Sequence, residues 1–164
     1  MGGSILGASV RRVEDPRFVT GRGRYLGDLH FPGELWMAVV RSSVPHATIS
    51  SVDTATAVGA PGVVAIYTAA DFTGLTMPTE FGDHPEVMRR PLVPADRVRF
   101  VGDIVAIVVA ESAVQAADAA DEVWPEYDDL GVVVDPSHAA RPDAPLLYPE
   151  HGSNIVKEPK PTSG

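Results

Sequence analysis

Seven consecutive apolar residues, Ile104 to Ala110, are followed after one residue by Ser112 and, three positions on, by Gln115. The run is too long and too branched for a loop and too short for a buried helix, so it reads as a covered strand. Ser112 and Gln115 have the spacing of a capping box, in which each side chain satisfies an N–H left open at a helix start. In the helix so launched, Ala113, Ala116, Ala117, Ala120, Val123 and Trp124 are expected on one face and Gln115, Asp118 and Glu122 on the other. Alanines on the buried face would let the helix approach its sheet closely. A further strand is expected at 126–130, making a β-α-β unit that would be a right-handed crossover if both strands lay parallel in one sheet. Residues 47–68 repeat this order more weakly.

The first clear strand is Leu35 to Arg41, after the turn signal Pro32-Gly33, and it is apolar on both faces. That pattern fits a strand covered on both sides or used as an interface. Further expectations are strands at 47–52, 63–68 and 97–100, a short helix capped by Asp53 or Thr54, and a helical turn at 69–72. Asp135 and Pro136 mark a last helical turn, as N-cap and first helical residue. The fold class is therefore mixed α/β, an α+β arrangement of β-α-β units with a mixed sheet and an irregular N-terminal arm. Residues 1–34 form the arm, with strand character only at Arg24-Tyr25-Leu26. Residues 35–140 form the domain, and 141–164 a linker-like, disordered tail. The expected core comprises Leu35, Met37, Val39, Ile49, Val64, Ile66, Val105, Ile107, Val109, Ala113, Ala117 and Val123. Residues 73–96 show no period and read as a long loop of the kind that is functional, disordered or bound to a partner.

Composition narrows the function. The 164 residues carry 13 Lys and Arg against 22 Asp and Glu, a net charge of −9. Binding nucleic acid calls for clustered cations that displace counterions from phosphates, so no nucleic-acid partner is expected. There is no cysteine, which removes disulfides, thiolate metal sites, iron–sulfur ligation and a cysteine nucleophile together. The start, Met1-Gly2-Gly3-Ser4, has no basic segment leading into a long apolar run. No signal peptide or membrane span is expected, and the chain reads as cytoplasmic.

Each candidate for chemistry has a plainer explanation. His30, His46, His84, His138 and His151 are too widely spaced for a local metal motif; only Asp83-His84-Pro85-Glu86 puts carboxylates beside an imidazole. Gly21-Arg22-Gly23-Arg24 lacks the following helix that a phosphate cradle needs and reads as a tight turn with exposed arginines. Gly102-Asp103 reads as a hairpin turn. Ser42, Ser43 and His46 lie close in sequence without a nucleophile elbow or an orienting acid. Asp118, Asp121 and Glu122 read as the solvated face of a helix. On these grounds no catalytic, cofactor-binding or metal-binding residue is assigned. The residues alone describe a soluble α/β domain with an interface-like apolar strand.

Taken in order, however, the segments resemble one family. Residues 7–28, with Arg11-Arg12-Val13-Glu14-Asp15 and Gly21-Arg22-Gly23-Arg24-Tyr25, are similar to the opening of the large subunit of molybdenum hydroxylases of the xanthine dehydrogenase, aldehyde oxidase and carbon monoxide dehydrogenase type. Arg41-Ser42-Ser43-Val44-Pro45-His46-Ala47, Arg90-Pro91-Leu92, Val98-Arg99-Phe100-Val101-Gly102-Asp103 and Glu126-Tyr127-Asp128-Asp129-Leu130 continue the likeness to about residue 155. The carbon-monoxide-dehydrogenase-like branch is the most similar. Pro125 departs from the family pattern and suggests an edge strand or bulge, and so does the Pro/Lys tail after Ile155.

The resemblance implies an α/β-hammerhead fold. It implies a complex that oxidises an aldehyde, an N-heterocycle or carbon monoxide at molybdopterin-bound molybdenum, with [2Fe–2S] clusters and FAD downstream. Its partners would be a molybdopterin-binding large-subunit polypeptide and the iron–sulfur and FAD subunits. This chain would hold none of these cofactors and would be inactive alone. Two other readings are an orphan scaffold or interaction module, and a small enzyme using the 73–96 loop with His84 and Glu86.

Overall fold

The computed structural model describes residues 12–78 and 85–156. The chain divides into two compact units, residues 1–34 and 35–164.

In the first unit, α1 (Asp15–Val19) is a helix of five residues with Pro16 in its first turn, where a missing N–H costs nothing. The strand expected at Arg24-Tyr25-Leu26 does not form. The Tyr25 N–H donates instead to the Asp28 carboxylate at 2.8 Å, which turns the chain into a single 3-10 turn, Leu26–Asp28. The Phe18 and Tyr25 rings stack with centroids 5.4 Å apart.

The second unit contains β1 (Trp36–Arg41), β2 (Ala47–Asp53), α2 (Ala55–Val58), β3 (Val63–Tyr67), β4 (Arg97–Val98), β5 (Ile104–Ala110), α3 (Ala113–Asp121), β6 (Trp124–Asp129) and α4 (Pro136–Ala139). The strands form two three-stranded sheets, ordered β1-β5-β3 and β4-β2-β6. Mixed α/β content is as expected, but the mixed sheet is not: each of these pairings is antiparallel. Both edges of β5 are taken, by β1 and β3, so β6 cannot join it and pairs with β2 in the other sheet. The β5-α3-β6 unit therefore links two sheets rather than crossing over within one. The weaker unit, β2-α2-β3, links the same two sheets in the opposite sense. As the edge strand of its sheet, β6 tolerates Pro125, whose missing N–H would break the ladder in a central strand.

Half of the expected capping box forms, with the Gln115 side chain meeting the Ser112 hydroxyl rather than the Ser112 N–H. The Ser112 hydroxyl accepts from the Gln115 N–H at 3.3 Å, and the Gln115 carboxamide oxygen lies 2.8 Å from the same hydroxyl. The face it buries is rotated from expectation. Ala116 and Ala119 are buried, whereas Ala113 and Ala117 are exposed. Ala119 joins Ala57, Ala106, Val108 and Val123 in one core cluster. Ala47, Val98 and Val105 form a second that ties β5 to the other sheet. Among the remaining expected core residues, Val39, Ile49, Ile66, Ile107 and Val109 are half-buried, while Leu35, Met37 and Val64 are exposed.

Two irregular stretches are better held than their composition suggests. In the described parts of the 73–96 loop, which leave out residues 79–84, Met77 N–H donates to the Arg90 carbonyl and Leu92 N–H to the Leu75 carbonyl, and Val93 and Pro94 are buried. Beyond α4, the Asn154 side chain donates to the carbonyls of Ala139 and Pro145 and accepts from Leu147 N–H. Residues 141–156 are thus tied into the unit rather than forming a loose linker. The rest of the expected tail, 157–164, lies outside the described residues.

Candidate functional site

Alternation along β5 divides the first sheet into two faces. Trp36, Ala38 and Val40 of β1 are in register with Ala110, Val108 and Ala106, on the face that packs against α3. The opposite face carries two rungs: Met37, Val109 and Ala65, then Val39, Ile107 and Tyr67. Five of these six side chains are fully apolar. Met37 is 64 % exposed and Tyr67 40 %, and the other four are half-buried. Val64, at the register shift in β3, is also exposed. A folded domain rarely leaves such a contiguous apolar face to water unless something covers it.

Where β1 ends, the backbone engages the turn before β5. Ser42 N–H donates to the Asp103 carbonyl and Gly102 N–H to the Ser42 carbonyl, both at 2.8 Å. Gly102-Asp103 is therefore not a hairpin turn: the strands on either side of it, β4 and β5, lie in different sheets. Gly102 has φ +94, a backbone setting that glycine adopts without a Cβ clash. Asp103 is 3 % exposed. One carboxylate oxygen accepts from Arg99 N–H at 3.1 Å and the other from Arg90 Nη2 at 3.4 Å. Sequence reasoning missed this buried carboxylate, since a Gly-Asp pair looks the same whether its acid faces solvent or protein.

The sequence candidates do not converge. Ser42 Oγ donates to the Val44 carbonyl at 2.8 Å and accepts from Val44 N–H, so its hydroxyl shapes a turn. Ser43 is exposed, and buried His46 donates its Nδ1 hydrogen to the Gly131 carbonyl instead. Nearby, burial pushes the Tyr127 hydroxyl pKa up; the Ser42 hydroxyl opposes this and the Asp103 charge adds to it. His30 pairs with Glu34 at 2.7 Å. That carboxylate is held below its usual range by the Phe31 N–H first and by His30 second. His138 is exposed on α4, and His151 lies 3.2 Å from the Ile155 carbonyl. His84 and Asp83 lie outside the described residues, and Glu86 sits on an exposed 3-10 turn. In Gly21-Arg22-Gly23-Arg24, a Cβ on Gly23 would strike the Phe18 ring, which makes this a packing turn rather than a cradle. Asp118, Asp121 and Glu122 are exposed.

Among the described residues, no three His, Cys, Asp or Glu side chains are placed to hold a metal ion. Nor is any helix among them long and apolar enough to cross a membrane.

Comparison with known proteins supplies the context for the uncovered face. The family described as aldehyde oxidase and xanthine dehydrogenase, a/b hammerhead domain, matches residues 20–131. The chain is similar to the carbon monoxide dehydrogenase large chain of Afipia carboxidovorans, with 45 % identity over 87 % of this chain and 17 % of that protein. It is similar to the nicotine 6-hydroxylase large subunit of Paenarthrobacter nicotinovorans, with 39 % identity over 93 % of this chain and 19 % of that one. Among solved structures it resembles the Cu,Mo-CO dehydrogenase in its carbon-monoxide-reduced state, with a TM-score of 0.79 and 42 % identity. That match covers 92 % of this chain and 19 % of the other. The chain thus spans less than a fifth of each of these two relatives.

Proposed function

This chain belongs to the aldehyde oxidase and xanthine dehydrogenase a/b hammerhead family, and from that premise we propose that it is the non-catalytic hammerhead portion of a molybdenum hydroxylase large subunit. It works in the cytoplasm by docking onto the molybdopterin-binding part of that subunit and supporting its active-site approach. The observation that carries this reading is the uncovered sheet face of Met37, Val39, Ala65, Tyr67, Ile107 and Val109. In the carbon monoxide dehydrogenase and nicotine 6-hydroxylase large subunits, more than four-fifths of the polypeptide lies outside the matched region, and the surface that covers the face would lie in that remainder.

The complex would oxidise an aldehyde, an N-heterocycle or carbon monoxide, with molybdopterin, [2Fe–2S] clusters and FAD held by other domains or subunits. The residues described here do not fit an iron–sulfur cluster or a directly ligated metal ion. The sequence has no cysteine to bind an iron–sulfur cluster, and the described side chains form no metal-ligating trio. No step of the reaction is assigned to this chain.

The test is co-expression with the molybdopterin-binding polypeptide lacking its own copy of this domain, followed by size exclusion and activity assays. Co-elution, with activity that depends on this chain, is expected. Placing a charge on the apolar face, as in Ile107→Glu, should abolish co-elution. A partner that is fully active alone, or that elutes separately, would sink this reading and leave an orphan interaction module.

A further inference from the structure

Away from the sheet face, a cavity of about 250 Å³ is lined by Arg90, Arg99, Phe100, Tyr148, Pro91 and Leu147, with Asp103 also on its wall. Each arginine places its guanidinium over a ring. The Arg90 guanidinium carbon lies 4.4 Å from the Phe100 centroid, and that of Arg99 lies 4.5 Å from the Tyr148 centroid. A cation–π contact of this kind restrains the guanidinium and leaves the N–H groups along its edge able to donate elsewhere.

The two edges are not equally occupied. Arg99 Nε donates to the Leu147 carbonyl and Nη1 to the Arg97 carbonyl, both at 3.1 Å. The Arg90 side chain makes one hydrogen bond among the described residues, to Asp103 at a long 3.4 Å, and its buried Nε has no acceptor. Asp103 carries one negative charge against two cations, and its second oxygen is turned to the Arg99 backbone N–H rather than to the Arg99 guanidinium. Asp96 reaches Arg99 only at 4.0 Å, from a side chain that is 68 % exposed, where water screens the pair.

Two cations and one buried carboxylate leave one positive charge at a small cavity whose remaining walls are apolar. We propose that this cavity is a binding site for the carboxylate of a small organic acid, with Arg90 as the principal donor and Pro91, Phe100 and Leu147 enclosing the acid's apolar body. A planar carboxylate matches the guanidinium edge and can take two parallel N–H bonds. A single excess charge suits a monoanion better than a phosphate, and the volume suits a one-ring or short-chain acid.

Benzoate is the probe, titrated into the full 164-residue chain and followed by calorimetry and amide chemical shifts. Saturable binding is expected, with shifts at Arg99, Phe100 and Tyr148. The uncharged isostere benzyl alcohol should bind at least about tenfold more weakly, because it gives the guanidinium no anionic partner. Arg90→Gln should weaken benzoate by about tenfold and leave benzyl alcohol unchanged, with Arg90→Lys in between because a point charge lacks the fork. Absence of saturable benzoate binding, equal affinity for the two probes, or an Arg90→Gln chain that binds benzoate normally would each overturn the proposal. If Arg90→Gln fails to fold, the comparison of benzoate with benzyl alcohol on the parent chain decides.

Discussion

His46 Nδ1 lies 2.7 Å from the carbonyl oxygen of Gly131, a residue 85 positions away. His46 stands just before β2 and Gly131 just after β6, and the Leu130 N–H returns a bond to the His46 carbonyl at 3.0 Å. One end of the β2–β6 pair is clamped twice. His46 is 4 % exposed, and its Nε2 has no partner among the described residues. His46→Ala should therefore cost about 2–4 kcal/mol, from the void and the lost bond together. His46→Phe refills the void, removes the unpartnered Nε2 and leaves Gly131, which is exposed, to bond water. Its cost should be about 1 kcal/mol or less. Urea unfolding of both variants checks this, and equal losses would show that the bond, not the packing, holds the clamp.

Gly62 and Gln115 meet where β3 begins beside the α3 cap. Gly62 has φ +75, and a Cβ there would run into the Gln115 carboxamide. That carboxamide is the free end of a flexible side chain and can move, whereas the backbone angle cannot be relieved. Gly62→Ala should cost about 1–2 kcal/mol, set by the left-handed conformation. Gln115→Ala in the same chain should recover little of it. Full recovery in the double variant would place the cost in the clash instead.

The rotated face of α3 gives a paired test. Ala119 is 0 % exposed in the cluster with Val108, so Ala119→Leu should overpack the interface and cost about 1–3 kcal/mol. Ala117 is exposed, and Ala117→Leu should change stability by less than about 0.5 kcal/mol. Melting temperatures of the two variants decide, and the reverse order would restore the face expected from sequence.

That error shows where sequence stops being informative. The extent of β5 and the Ser112 cap are local matters, written in composition and in one three-residue spacing, and both were legible. Alanines occur at 113, 116, 117, 119 and 120, so α3 has too little polarity contrast to reveal its buried side. The pairing of β5 with β1 and β3, rather than with the nearby β6, depends on contacts between distant segments that no window contains. Apolar character on both faces of β1 was readable, and it is Met37, on the face turned away from α3, that stays largely exposed. The arginine cavity was not readable, because Arg90, Asp103 and Tyr148 come together only through the fold.

Tyr127 supplies a pH test. Burial raises its pKa above the ordinary value of 10.0, so the folded chain keeps the phenolic proton where the unfolded chain has lost it. The resulting stability is complete below the unfolded pKa and is lost as pH rises through the higher folded one. Denaturant midpoints should fall from about pH 10 upward. Tyr127→Phe, with nothing to ionise, should show a shallower fall over the same interval. Identical profiles would mean that other groups account for the alkaline loss.

Val108 and Val109 are chain neighbours on opposite faces of β5, and the docking reading makes opposite demands of them. Val108 is 0 % exposed and packs in the cluster that includes Ala119. Val109 is half-buried between Met37 and Ala65 on the uncovered face. In the chain alone, Val108→Ala should cost about 1–3 kcal/mol through the cavity it leaves. Val109→Thr, close in volume and adding a hydroxyl that water can reach, should cost less than about 1 kcal/mol. Against the molybdopterin-binding partner the order should invert. A hydroxyl carried into an apolar interface loses its water without gaining a partner, and that desolvation weakens association by about 1–3 kcal/mol. Val108 would not touch the partner, so Val108→Ala should bind with the parent's affinity once it is folded. Unfolding curves of the chains alone and affinities for the partner separate the two effects. If Val109→Thr bound as tightly as the parent, this face would not be the docking surface.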